Sequence, residues 1–212
     1  MTIVLVVAVD AEAAAVGTRE GVHVVTAGVG RTNAAIATTL ASQKDQVHAV
    51  ISVGVAGALP GSNLNIGDLI GANFCVYAEE GIETPTGFQD MSAIGFSLGD
   101  FLGNDVPCDP HLIQAVQNLV PIGRIATVAT CSGTDEAADR IAARTGCVAE
   151  AMEGAAVVHT ARRLGVPAIE IRAISNTTGN RESQKWDLPA AFSTLQDALP
   201  PILDRLLAVN PE

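Results

Sequence analysis

A chain of 212 residues with 48% apolar side chains has enough material to bury one continuous core. Its 23 acidic against 12 basic residues give a formal net charge of -11, and an acidic surface repels nucleic-acid phosphate and anionic lipid, leaving small molecules as the expected partners. Aromatic residues make up 3%, too few for the stacking platforms that hold single-stranded nucleic acid.

The first apolar run, Ile3 to Val9, follows Met1 without a basic segment and meets Asp10 and Glu12 too early for a membrane span, which predicts a cytoplasmic protein with no membrane partner. Further continuous runs rich in Val and Ile lie at Val22 to Ala27, Ala49 to Val53, Leu69 to Tyr77, Arg124 to Thr130 and Ala168 to Ile174. Continuous rather than alternating apolar patterning predicts strands covered on both faces. Between them helical patterns run over Asn33 to Ser42, Pro110 to Leu119, Asp135 to Arg144, Glu150 to Leu164 and Pro189 to Leu207. This alternation predicts an α/β fold with a largely parallel or mixed sheet between helices. The segment Glu79 to Pro107 breaks the rhythm with Gly, Pro, Asp and Ser, and reads as a long ordered loop, with an inserted hairpin or a subunit contact as alternatives. No linker or repeat interrupts the chain, so residues 1–212 are expected to form one domain. Cys75, Cys108, Cys131 and Cys147 are far apart, with no CxxC pair and no zinc spacing with histidine, and read as buried free thiols. His23, His48, His111 and His159 have no Ser or Cys partner at a suggestive spacing and read as structural.

Several strand ends carry residues with chemistry. Gly28-Val29-Gly30-Arg31-Thr32-Asn33 sits between a strand and a helix, but Asn33 replaces the third glycine of a dinucleotide fingerprint, so a tight turn is the better reading. Gly54-Val55-Ala56-Gly57 follows a buried strand, where small residues let a ligand approach the backbone. Glu12 falls one turn after the first strand, at the sheet edge where ligands of α/β proteins collect; a carboxylate that only favours a helix N-terminus is the alternative. Glu153, in Met152-Glu153-Gly154-Ala155, is a carboxylate among small and apolar residues at a helix start. It suits ligand hydroxyls, or a helix cap, or an arginine partner. Arg172 interrupts the last buried strand and requires a carboxylate, which Glu12 or Glu153 can supply, and Asn176 ends that strand.

These residues resemble the nucleoside phosphorylase and nucleosidase superfamily, in the branch of the methylthioadenosine/S-adenosylhomocysteine nucleosidases. The resemblance spans nearly the whole chain through Ala8 to Glu12, Ala27-Gly28-Val29-Gly30 with Asn33-Ala34-Ala35, Gly54-Val55-Ala56-Gly57, Gly67-Asp68, Met152-Glu153-Gly154-Ala155 and Arg172-Ala173-Ile174-Ser175. Within the superfamily, Glu79-Glu80-Gly81-Ile82, Gly87-Phe88 and the stretch from Ser175-Asn176 through Gly179-Asn180-Arg181 to Trp186 resemble the futalosine hydrolases. The resemblance implies a three-layer αβα sandwich around a mixed, partly closed central sheet, a homo-oligomer, no metal and no cofactor. The implied activity is hydrolysis of the N-glycosidic bond of futalosine, with release of hypoxanthine for menaquinone biosynthesis. A methylthioadenosine/S-adenosylhomocysteine nucleosidase and a phosphate-dependent purine nucleoside phosphorylase are the alternatives, and a non-catalytic nucleotide-binding module is the rival from another class.

By position, the resemblance makes Glu12 the base that activates water, Arg172 the group that holds the water, Glu153 the grip on ribose hydroxyls and Met152 the packing on the sugar. Val55, Ala56 and Gly57 line the substrate. Asn176 stands where the methylthioadenosine nucleosidases have an aspartate. An amide NH2 offers two donors, which suit the N7 and O6 acceptors of a 6-oxopurine. No aromatic near Asp135 and Glu136 matches the family's base-stacking ring, so Phe88, from this chain or a neighbouring subunit, is the expected substitute. Arg181 and Lys185 are candidates for the carboxylate of futalosine, with a solvated patch as the alternative.

Overall fold

A computed structural model describes residues 2–43 and 47–209. Ten strands and six helices are seen among them. Eight strands form one sheet, built around β3 (Val47–Ala58), a twelve-residue run dominated by Val, Ile, Ala and Gly. Along one edge β3 pairs in parallel with β10 (Ala168–Thr177). Along its other edge it pairs in parallel with β1 (Thr2–Val7) as far as Ser52, and then in antiparallel with β9 (Ala149–Ala151) at Gly57 and Ala58. The edge thus changes partner, and among the described residues no strand covers 53–56 there.

Closure of the sheet follows from the remaining pairings. β4 (Leu69–Tyr77) is antiparallel to β10 and parallel to β8 (Ile122–Thr127), and β8 is parallel to β9. The ring β10-β4-β8-β9-β3 closes through the β10 to β3 pair, while β1 and β2 (Val22–Thr26) extend the sheet beyond the ring. Helices α1 (Asp10–Val16), α2 (Arg31–Ser42), α3 (Pro110–Val116), α4 (Asp135–Thr145), α5 (Gly154–Arg163) and α6 (Leu188–Leu207) cover it. The core between them holds Ile3, Leu5, Ile51, Ile125, Ile169 and Ile171, all without exposed surface, and this is why those strands read as continuous apolar runs.

Three readings of the sequence change. The helix expected from Glu150 begins instead at Gly154, because Ala149, Glu150 and Ala151 are used to bridge β8 and β3. The 79–107 segment is not one loop: β5 (Gly81–Thr84) and β6 (Gly87–Asp90) form a hairpin, and β7 (Asp105–Pro107) pairs with β4. Cys131 is exposed, contrary to its reading as a buried thiol, whereas Cys75 and Cys108 are buried with their sulfurs 3.7 Å apart. No helix among the described residues is long and apolar enough to cross a membrane.

Candidate active site

The uncovered stretch of the β3 edge is where the candidate residues meet. Glu12 lies in the first turn of α1 directly after β1, so its side chain turns back toward β3. Oε2 accepts the N–H groups of Ala8 at 2.8 Å and Val9 at 3.3 Å, and Oε1 accepts the Val55 N–H at 2.9 Å. The Val55 N–H, which a strand partner would otherwise take, is therefore met by a carboxylate. Glu12 does support the start of α1, but the bond to Val55 ties it to the sheet as well. Gly54 makes the approach possible: a Cβ there would collide with Oε1 of Glu12 and lie 2.6 Å from Nη1 of Arg172.

Arg172 projects from β10 opposite Gly54 and is 1% exposed. Its Nε donates to Glu170 Oε1 at 2.8 Å, Nη2 to Ser52 Oγ at 3.0 Å and Glu153 Oε2 at 3.2 Å, and Nη1 to the Val55 carbonyl at 3.4 Å. Burial by itself would lower the pKa of Arg172, but the negative charges of Glu170, Glu153 and Glu12 outweigh it and hold the guanidinium above its usual value. The arginine is a fixed cation among three carboxylates.

Glu153 sits at the N-cap position of α5 without capping it. Its Oε1 accepts the Gly30 N–H at 3.0 Å, and Oε2 accepts Arg172 and the Met152 N–H, the latter at 3.3 Å. The arginine partner is thus present and the self-cap is not. Gly30 has φ of 95°, a conformation that favours glycine, so the Gly28 to Gly30 turn delivers a backbone donor to Glu153 rather than a dinucleotide cradle. Met152, half-buried, packs against a second apolar cluster that includes Val76, Ala126 and Val128.

Asn176 is buried near the end of β10, where a register shift after Ile174 brings it opposite Gly57. Its Oδ1 accepts the Ser175 hydroxyl at 2.8 Å, and Nδ2 donates to the Thr177 carbonyl at 2.9 Å. One amide hydrogen is therefore spent inside the protein, so the two donors expected from the sequence reduce to one. Ala56 accepts the Ser175 hydroxyl through its carbonyl at 3.3 Å, which locks the second half of the Gly54 to Gly57 segment to the same serine.

Phe88 does not join this cluster within its own chain. On β6 its ring lies 4.3 Å from the Arg144 guanidinium and lines a different cavity of about 400 Å³ with Tyr77, Asn104 and Arg124. Arg181 is likewise occupied: its guanidinium stacks on Trp186 at 4.8 Å and donates to Gln184, on a segment tied to the β8–α4 loop by Gln184 to Ser132 and Arg181 to Gly133 bonds. Arg31, the other cation near the cleft, pairs with Glu80 and lies 3.8 Å from Glu79.

Glu170, Ser52 and Ser175 were not singled out from the sequence. The signal for the first was present: Glu170 and Arg172 are two residues apart in a strand, so they share a face, and neither belongs in an apolar run without a partner. Among the described residues no group of three or more His, Cys, Asp or Glu side chains could hold a metal ion.

A partly closed mixed sheet, with a buried arginine and carboxylates at the point where one strand edge changes partner, defines an α/β protein with its candidate site at that switch. The chain belongs to the phosphorylase superfamily, whose family model matches residues 9–208. It is 36% identical over 157 residues to the futalosine hydrolase of Acidothermus cellulolyticus, covering 70% of this chain and 62% of that protein. It is 32% identical to the futalosine hydrolase of Streptomyces coelicolor, covering 87% of this chain and 81% of that one. The solved 5'-methylthioadenosine/S-adenosylhomocysteine nucleosidase of Colwellia psychrerythraea, in complex with adenine, shares the fold with a TM-score of 0.79 at 22% identity, over 97% of this chain and 96% of that one.

Proposed function

We propose that this chain hydrolyses the N-glycosidic bond of futalosine, releasing hypoxanthine on a route to menaquinone, in the cytoplasm. Two similar proteins bear that activity in their names, but the observation that carries the reading is the donor edge of Asn176. Its carbonyl already accepts the Ser175 hydroxyl and one amide hydrogen is spent on Thr177, so the second amide N–H is the donor left to offer a ligand. A 6-oxopurine meets that donor with N7 or O6, whereas the amino group of adenine would oppose it with a second donor. An unpaired polar group in a dry pocket costs about 1 to 3 kcal/mol, enough for tenfold discrimination or more.

In this reading Glu12 Oε1 keeps a lone pair beyond its bond to Val55 and takes the proton of a water that Nη1 of Arg172 helps to hold. The water oxygen bonds to the anomeric carbon as the C–N bond breaks, and the base leaves with the bonding pair, its charge met by the Asn176 N–H. Glu153 retains a lone pair on Oε1 for a ribose hydroxyl, Met152 packs on the sugar, and Val55, Ala56 and Gly57 line the cleft. Since Phe88 lies outside its own chain's cluster, its ring reaches a base only from a second copy, which makes a homo-oligomer part of the proposal. Neither a metal nor a cofactor is needed for these steps.

A methylthioadenosine/S-adenosylhomocysteine nucleosidase is the second reading, favoured by the fold shared with the adenine-bound Colwellia protein. A phosphorylase is disfavoured because Arg31 is engaged by Glu79 and Glu80, and Glu12 stands where an attacking phosphate would have to come. Base release from futalosine, methylthioadenosine and inosine in phosphate-free buffer tests the proposal. Futalosine should be cleaved fastest; cleavage of methylthioadenosine with futalosine untouched would overturn it.

A further inference from the structure

Glu170 is 0% exposed, on β10 two residues before Arg172 and opposite Ser52 of β3. Removing a carboxylate from water so completely is costly unless its oxygens are matched. They are. Oε1 takes the Arg172 Nε–H at 2.8 Å and Oε2 takes the Cys75 thiol at 3.0 Å. Room for the group is made at the start of α5, where a Cβ on Gly154 would collide with the Glu170 carboxylate. Three elements therefore contribute to housing one acid that touches none of the groups assigned to substrate except Arg172.

We infer that Glu170 is a positioning residue: it fixes the plane of the Arg172 guanidinium so that Nη1 faces Glu12 and Nη2 faces Glu153. This rests on the proposed reaction at the same site. A guanidinium is flat, with its donors in a rigid fork, so anchoring Nε determines where both Nη atoms point. Ser52 and the Val55 carbonyl bind the far side of the fork at 3.0 and 3.4 Å, but neither holds Nε. Without Glu170 the guanidinium can rotate about its last side-chain bond toward Glu153, its remaining direct ion-pair partner, and leave the water near Glu12 without its donor. A misplacement of about 1 Å in such a site costs about 100-fold in the extreme case.

Glu170→Gln keeps the shape and removes the charge. The expected result is a kcat for futalosine lowered about tenfold with KM changed less than twofold, measured on protein shown to be folded by its melting curve. Arg172→Lys, which lacks Nε, supplies the second arm of a double-mutant cycle. Glu170→Gln should add nothing to the loss in Arg172→Lys; independent, multiplying losses, or unchanged kinetics with only a lower Tm, would overturn the inference. Glu170→Asp keeps the charge but draws it back from Nε by one methylene, and should reproduce the kcat loss if Glu170→Gln does not fold. A readout free of turnover is the 15N–1H resonance of the Arg172 Nε–H, identified by its disappearance in Arg172→Lys. It should move in Glu170→Gln, and an unmoved signal would overturn the inference. If the wild type cleaves no nucleoside and the resonance still moves, the proposed reaction fails while the hold of Glu170 on Arg172 stands.

Discussion

In the proposed reaction Glu12 and Asn176 have separate tasks, attack on the sugar and reception of the leaving base, and each can be tested by a change of one atom type. Glu12→Gln keeps an acceptor for the Val55 N–H but cannot take a proton. Turnover should fall by ~100-fold or more, as for loss of a general base, while product binding by calorimetry stays within a few fold. Unchanged turnover would remove Glu12 from the mechanism. For Asn176→Asp, a protonated carboxyl can donate to N7 and accept from the amino group of adenine, so the ratio of adenine to hypoxanthine nucleoside cleavage should rise; an unaltered ratio would show that selection lies elsewhere. Both residues were legible in the sequence because they stand at strand ends, where an isolated polar residue after an apolar run marks the sheet edge. Their hydrogen-bond state was not. That Asn176 spends one N–H on the carbonyl of the next residue, Thr177, depends on local geometry that residue order does not encode.

At the scale of elements, the site exists because β3 outlasts its partner. β1 stops pairing at Ser52, β9 takes over at Gly57, and the four residues between present backbone groups that side chains from α1 and β10 satisfy. Ligands of open α/β sheets gather where strand order switches, and here the switch falls within a single strand edge. Gly54→Ala tests it: the added methyl displaces both Glu12 and Arg172, so kcat should fall by about 100-fold and the melting temperature should fall with it. Full activity in Gly54→Ala would contradict the geometry. Six of the strands and five of the helices were legible from their apolar periods. β9 was not, since its Ala-Glu-Ala is too short to show a period and sits beside a helical pattern. The β5–β6 hairpin was legible only as an alternative to a long loop, for a related reason: its alternation is weak because most of its side chains are exposed.

The whole molecule pairs an acidic surface with several buried carboxyls. Glu80, Glu150 and Glu170 all have pKa values raised above 4.5, chiefly because burial disfavours their charged forms, with Ser132 partly offsetting this for Glu150 and arginines doing so for Glu80 and Glu170. The folded chain then binds protons more tightly than the unfolded chain, so stability declines as pH rises from about 4.5 through the raised folded values. Mutual repulsion within a net charge of -11 acts in the same direction. The melting temperature should drop as pH rises above about 4.5 (on the order of a few degrees), and Glu150→Gln should flatten that slope; identical slopes would exclude Glu150 as a contributor. The acidic charge was plain in the sequence, but which acids are buried depended on partners such as Ser132 and Arg172, reached across the fold.

In the proposed reaction water, not phosphate, receives the sugar. Cleavage of futalosine in 18O-labelled water containing inorganic phosphate tests it most directly. One 18O should enter the released sugar, with no sugar phosphate formed. An unlabelled sugar, or a sugar phosphate as the main product, would contradict the account.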